Sequence, residues 1–140
     1  DLEAAEGLPD NATRLKTLMK EHDGFLIACP EYNSSITPLL KNAIDWASRA
    51  ADGEPPLAAF RGKTAALFAA SPGALGGLRG LVHVRAILGN IGVLVIPSQI
   101  AVPKAHEAFA PDGSMTDEKL AERVALVARD CVETTVKLRG

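Results

Sequence analysis

The shortages of this chain come first, because each removes a class of protein. Its 140 residues hold only two cysteines, one tryptophan, one tyrosine and four phenylalanines. Cys29 ends an apolar run and Cys131 sits inside a helical pattern. Two such isolated cysteines make no disulfide framework and read as reduced core residues of an intracellular protein. Charge of one sign is also missing: 15 lysines and arginines nearly balance 17 aspartates and glutamates, for a formal net charge of −2. Without a basic stripe, nucleic acid is not an expected partner. No apolar run approaches the ~20 residues of a membrane-spanning helix, so no membrane partner is expected either. His22, His83 and His106 are scattered without metal-ligand spacing, and Ser71 lacks the G-x-S-x-G context of a hydrolase nucleophile. The chain opens at Asp1 without a methionine or a signal-peptide pattern, which reads as a fragment, a processed product or the ordered part of something longer. The expected location is the cytoplasm, in line with the reduced cysteines.

What is present suits one α/β domain. Hydrophobic residues make up 47% and charged residues 23% of a length that supports a single core. Helical and strand patterns alternate from end to end. Pro9-Asp10-Asn11 opens a first helix, with Leu15, Leu18, Met19 and His22 on one face. Strands are expected over 25–29, over the nearly unbroken apolar run 63–70, and over 93–96. The last of these is ended by Pro97, with 100–102 extending or restarting it. Thr37 and Pro38 cap and start a helix running to about residue 50. Residues 52–56 read as a surface loop, and a Gly-rich turn over 71–77 feeds a helix that reaches about Asn90. The segment 103–113 reads as a loop with at most a short helix. In the last helix Leu120, Val124, Val127, Cys131 and Leu138 repeat on one face, with Thr116 as cap. This order makes a parallel sheet with helices on both faces.

The most specific stretch is Pro30-Glu31-Tyr32-Asn33-Ser34-Ser35-Ile36-Thr37-Pro38-Leu39-Leu40-Lys41-Asn42-Ala43-Ile44-Asp45-Trp46-Ala47-Ser48-Arg49. It follows a strand and leads into a helix, the place where open α/β sheets hold ligands. It resembles the signature of the NADPH-dependent FMN reductase family, flavodoxin-like flavoenzymes that reduce flavins, quinones and related acceptors. The resemblance implies a flavodoxin-like three-layer fold with FMN as cofactor and NADPH or NADH as co-substrate. It also implies that Pro30, Glu31, Tyr32 and Asn33, with Ser35 beside them, line the isoalloxazine and ribityl portions. The plainer reading of these residues is a solvated turn.

In the same family the Ser71-to-Gly77 loop lies on the other side of the flavin, which makes Ser71, Gly73, Gly76 and Gly77 candidates. Alone, that loop reads better as a turn for tight helix–sheet packing, and it lacks the Walker lysine and serine. On helix 38–50, Leu40, Ala43, Ile44 and Ala47 form the core stripe, while Lys41, Asp45 and Arg49 run at i, i+4, i+8 opposite. Asn42, Asp45, Trp46 and Arg49 are the candidate interface of a homodimer or homotetramer, as the resemblance implies. The other reading folds Trp46 over the helix end into the core.

Aligned by the signature, strand 25–29 is the family's third strand. The first strand, the phosphate loop, the first helix and strand 2 are then expected before Asp1, in a protein longer by roughly 30 residues or more. The expected activity is hydride transfer from NADPH through FMN to a small-molecule acceptor, with no side chain as acid or base. Two rivals share the fold: an acidic electron-carrier flavodoxin, against which the net charge of −2 speaks, and a flavin-free scaffold whose sheet edge assembles with another chain.

Overall fold

The computed structural model of the chain describes residues 7–51 and 53–140. Residues 1–6, ahead of the first helix, and Asp52 of the 52–56 loop lie outside them. The described elements are α1 (Asp10–Glu21), β1 (Gly24–Ala28), β2 (Glu31–Tyr32), β3 (Ser35–Ile36), α2 (Pro38–Ser48), β4 (Thr64–Ala70), α3 (Leu78–Asn90), β5 (Leu94–Val102), α4 (Ala105–Ala108) and α5 (Glu118–Arg139).

Three strands form a parallel sheet in the order β1-β4-β5, with Gly24 to Ala28 opposite Thr64 to Phe68. Central β4 is apolar at almost every position because both its faces are covered. Ala65, Leu67 and Ala69 face a core with Ile44 and Ala47 of α2 and Leu81, Val84 and Leu88 of α3. Ala66 and Phe68 point the other way, into a second core with Ile96, Ile100, Val127 and Cys131. The crossover helices thus share one face and α5 covers the other, which gives the expected three layers. Both cysteines are free and buried, one in each core.

Pro97 does not end its strand. Residues Leu94–Val102 form one strand with a bulge, since Ala65 pairs with Val95 while Leu67 pairs with Gln99. An edge strand tolerates a proline at a bulge because no neighbour there needs its N–H. The bulge is held from both layers. Arg85 donates to the Val95 carbonyl (3.1 Å) and to Gln99 Oε1 (2.7 Å), while Ser98 Oγ donates to Asp130 Oδ2 (2.6 Å).

Helix boundaries differ from expectation in three places, each for a local reason. α2 is capped by Thr37, whose Oγ1 accepts from Leu40 N at 3.2 Å, but stops at Ser48, with Arg49 already extended. The cap of α5 is Asp117, accepting from Lys119 N and Leu120 N. Thr116 instead donates to the Glu107 carbonyl, and Leu138, 62% exposed, leaves the buried face near the free helix end. On α1 the buried positions are Ala12 and Lys16, so Leu18 turns outward and His22 lies beyond the helix. Lys16 is inward because Glu54 (2.5 Å) and the Arg49 carbonyl (2.7 Å) meet its ammonium. Lys20 also pairs with Glu54, and Lys63 Nζ donates to the Lys20 and His22 carbonyls that close α1.

Candidate functional site

The last ladder bond of β1 runs from Cys29 N to the Phe68 carbonyl at 2.7 Å. At Pro30 the chain leaves the sheet, but it does not become the plain loop expected. It folds into a hairpin in which Glu31 pairs with Ile36 and Tyr32 with Ser35. Asn33 (φ 50°) and Ser34 (φ 68°) form its tip. Two successive left-handed residues are what a tight two-residue hairpin needs, and asparagine is among the residues that accept them. Pro30, Tyr32 and Asn33 are exposed, Tyr32 to 62%.

Glu31 turns back toward α3. Its Oε2 accepts from Gly80 N at 3.0 Å, and its Oε1 accepts from Arg79 Nη2 at 3.1 Å and Nε at 3.3 Å. The Gly80 amide first, and Arg79 after it, hold this carboxyl below the usual carboxylate range. Ser35 Oγ and His83 Nδ1 lie 2.8 Å apart, a second contact between hairpin and α3. Arg79, Gly80 and His83 were not among the sequence-derived site residues. No local pattern marks them, because their partners are 48 or 49 positions away.

The 71–77 loop leaves β4 beside the hairpin. Ser71 N donates to the Val102 carbonyl at 3.1 Å, and Ser71 Oγ accepts from Gly73 N at 3.3 Å. Gly76 and Gly77 are buried with positive φ, and both are required by packing. A methyl group built at Gly76 falls 2.6–2.8 Å from backbone atoms of Val102 and Pro103, and one at Gly77 falls 2.9 Å from the Ala69 Cβ. Gly73 is exposed and free of such contacts. Of the four loop candidates, Gly73 is exposed and Ser71 partly so, while Gly76 and Gly77 are buried and held by packing.

Behind the hairpin, at the C-terminal end of the sheet, lies an apolar cavity of about 290 Å³ lined by Cys29, Pro30, Phe68, Ala70, Phe109 and Met115, among others. Burial, and then the Glu31 charge, push the Cys29 thiol up. Asn42, Asp45, Trp46 and Arg49 line one depression of about 310 Å³ on α2. Trp46 is half-buried there, and Asp45 pairs with Lys41 at 2.7 Å.

Two adjacent loops at the C-terminal ends of parallel strands, one rich in glycine and one carrying the Pro-Glu-Tyr-Asn tip, place the molecule among flavodoxin-like α/β proteins. The chain belongs to the NADPH-dependent FMN reductase family, whose model matches residues 1–107. It is 37% identical over 121 residues to an NAD(P)H-dependent FMN reductase of Pseudomonas aeruginosa, a match that covers 86% of this chain and 63% of that protein. An NAD(P)H:quinone oxidoreductase of Solanum tuberosum is 36% identical over 147 residues, covering 100% of this chain and 70% of its own. Among solved structures, FerB, a flavoenzyme NAD(P)H:(acceptor) oxidoreductase from Paracoccus denitrificans, superposes with a TM-score of 0.80 at 34% identity. That superposition covers 96% of this chain and 74% of FerB. The chain therefore spans about two thirds to three quarters of these proteins.

Proposed function

We propose that the chain is the flavin-ring part of an FMN-dependent NAD(P)H oxidoreductase that passes electrons to flavins, quinones or similar small acceptors. The observation that carries this is the packing of the hairpin on the start of α3, where Glu31 lies over Gly77 and Gly80 and joins the Pro-Glu-Tyr-Asn segment to the end of the Gly-rich loop.

The residues fit a flavin ring. Pro30 and Tyr32 offer exposed apolar surface for a planar ring, and the exposed Asn33 amide offers polar groups for its edge, while Ser35 Oγ is held by His83 and Ser71 Oγ by the Gly73 amide. When bound, FMN supplies the hydride chemistry, between NADPH or NADH and the acceptor. The protein binds and orients. The carboxylate of Glu31 is engaged by Arg79 and Gly80, and Cys29 is held protonated in its apolar cavity.

Three further parts of the reading go with this one. The native domain includes a strand on the open edge of β1, where among the described residues no strand pairs. The depression of Asn42, Asp45, Trp46 and Arg49 is the contact between subunits of a dimer or tetramer. The protein works in the cytoplasm, a compartment that keeps thiols such as the buried, free Cys29 and Cys131 reduced.

The test is a fluorescence-quenching titration of FMN with the 140-residue chain, followed by NADPH oxidation with a quinone. Saturable quenching at micromolar FMN is the expected result. Quenching only in a longer product of the same reading frame means that the two loops do not suffice without the phosphate loop expected ahead of them. No quenching in either overturns the flavoenzyme reading.

A further inference from the structure

We propose that Glu31 is a positioning residue: its carboxylate fixes the Tyr32–Asn33 tip against α3 and so sets the spacing of the two loops that would flank the flavin. The proposal rests on the flavin reading above for its functional meaning, and on the geometry alone for its mechanical one.

The hairpin is a separate two-stranded sheet, hydrogen-bonded to no strand of the central sheet. Its tip is exposed, so burial of Tyr32 does not hold it in place. Its polar attachments are to α3. That helix begins at Gly77, which has no side chain to cap the first free amides. Glu31 supplies the missing acceptor from another part of the chain, and a negative charge at a helix N-terminus is favourable in itself. The stem of Glu31 also packs on the start of α3: methyl groups built at Gly77 and Gly80 would lie 3.6 and 3.5 Å from its Cβ, at ordinary van der Waals distance. The Ser35–His83 contact repeats the attachment about one turn further along α3. The charged or titratable groups facing the carboxylate are Arg79 of α3 and Cys29 at the end of β1. Arg79 leaves Glu31 ionised and paired. A paired carboxylate whose oxygens accept three N–H bonds suits a fastening better than a proton-transfer group.

The test uses the full chain and two readouts, amide hydrogen exchange over residues 30–36 without FMN and the FMN dissociation constant. Glu31→Ala is expected to speed exchange in the hairpin about tenfold and to weaken FMN binding about tenfold, the scale of losing hydrogen bonds to a charged group. Glu31→Gln keeps an oxygen for the Gly80 amide and is expected to restore most of both. Unchanged hairpin exchange in Glu31→Ala overturns the proposal. So does a Glu31→Gln variant as impaired as Glu31→Ala in both readouts, because a lost fastening would then not be the cause. If Glu31→Ala does not fold, Glu31→Met, which keeps an unbranched stem without the acceptor oxygens, decides: faster hairpin exchange supports the fastening and unchanged exchange overturns it. Should the unmodified chain fail to bind FMN, the flavin reading falls, while the exchange comparison still decides the mechanical role.

Discussion

At the scale of single residues, the glycines of the 71–77 loop show how far a sequence can speak. A glycine marks a place where something comes close, without saying what. At Gly76 the close neighbour is the backbone of Val102 and Pro103, and φ is +62°. Gly76→Ala therefore meets a clash that no rotamer relieves, and a strained backbone as well. It is expected to destabilise the fold by about 2 kcal/mol or more, read from urea denaturation. Gly73→Ala, with only Ser71 Oγ at 3.7 Å, is expected to stay within about 0.5 kcal/mol of the unmodified chain. Equal losses at the two positions would contradict this division of roles. Glu31 teaches the same lesson from the other side. Its place in the motif was legible, but its partners Arg79 and Gly80 lie across the fold, where no spacing rule reaches.

At the scale of elements, the legible parts were those where local pattern and tertiary environment agree. β4 is apolar on both faces because it is central, and Thr37-Pro38 starts α2 as its chemistry requires. The misread parts are where tertiary context wins. Pro97 is tolerated because β5 is an edge strand with a bulge, and the hairpin was hidden because its strands are two residues each. The face of α1 was misjudged because a lysine is buried on it, and Glu54 explains that. Hydrogen bonds from Lys16 first, then Lys20, lower the Glu54 carboxyl from 4.5 to about 2. A group whose folded pKa is depressed adds stability above its unfolded value and loses it as pH falls toward the folded one. Glu54 should thus help hold α1 at pH 6 and cease to do so between about pH 4.5 and pH 2. The melting-temperature gap between the unmodified chain and Glu54→Gln is expected to be present at pH 6 and to narrow in acid. A gap that stays constant or widens below pH 4.5 would count against the clasp.

At the scale of the whole molecule, two surfaces remain to be covered if the reading is right. One is the α2 depression around Trp46, the single tryptophan of the chain. Trp46→Ala is expected to shift the sedimentation velocity profile from dimer or tetramer toward monomer; an unchanged profile removes this face from the assembly. The parallel sheet with helices on both faces was legible from the alternation of patterns, and the family from one continuous run of residues. The flank of β1 where no strand pairs among the described residues is the other surface. Leu26 is 57% exposed on it, and apolar hollows lie beside it on both faces of the sheet. A seat of this kind is indifferent to whether its occupant is covalently attached. A strand delivered on a separate polypeptide meets the same row of peptide groups as one delivered upstream on the same chain. A strand that docked there by either route would continue the β1 ladder and cover Leu26 as it did so.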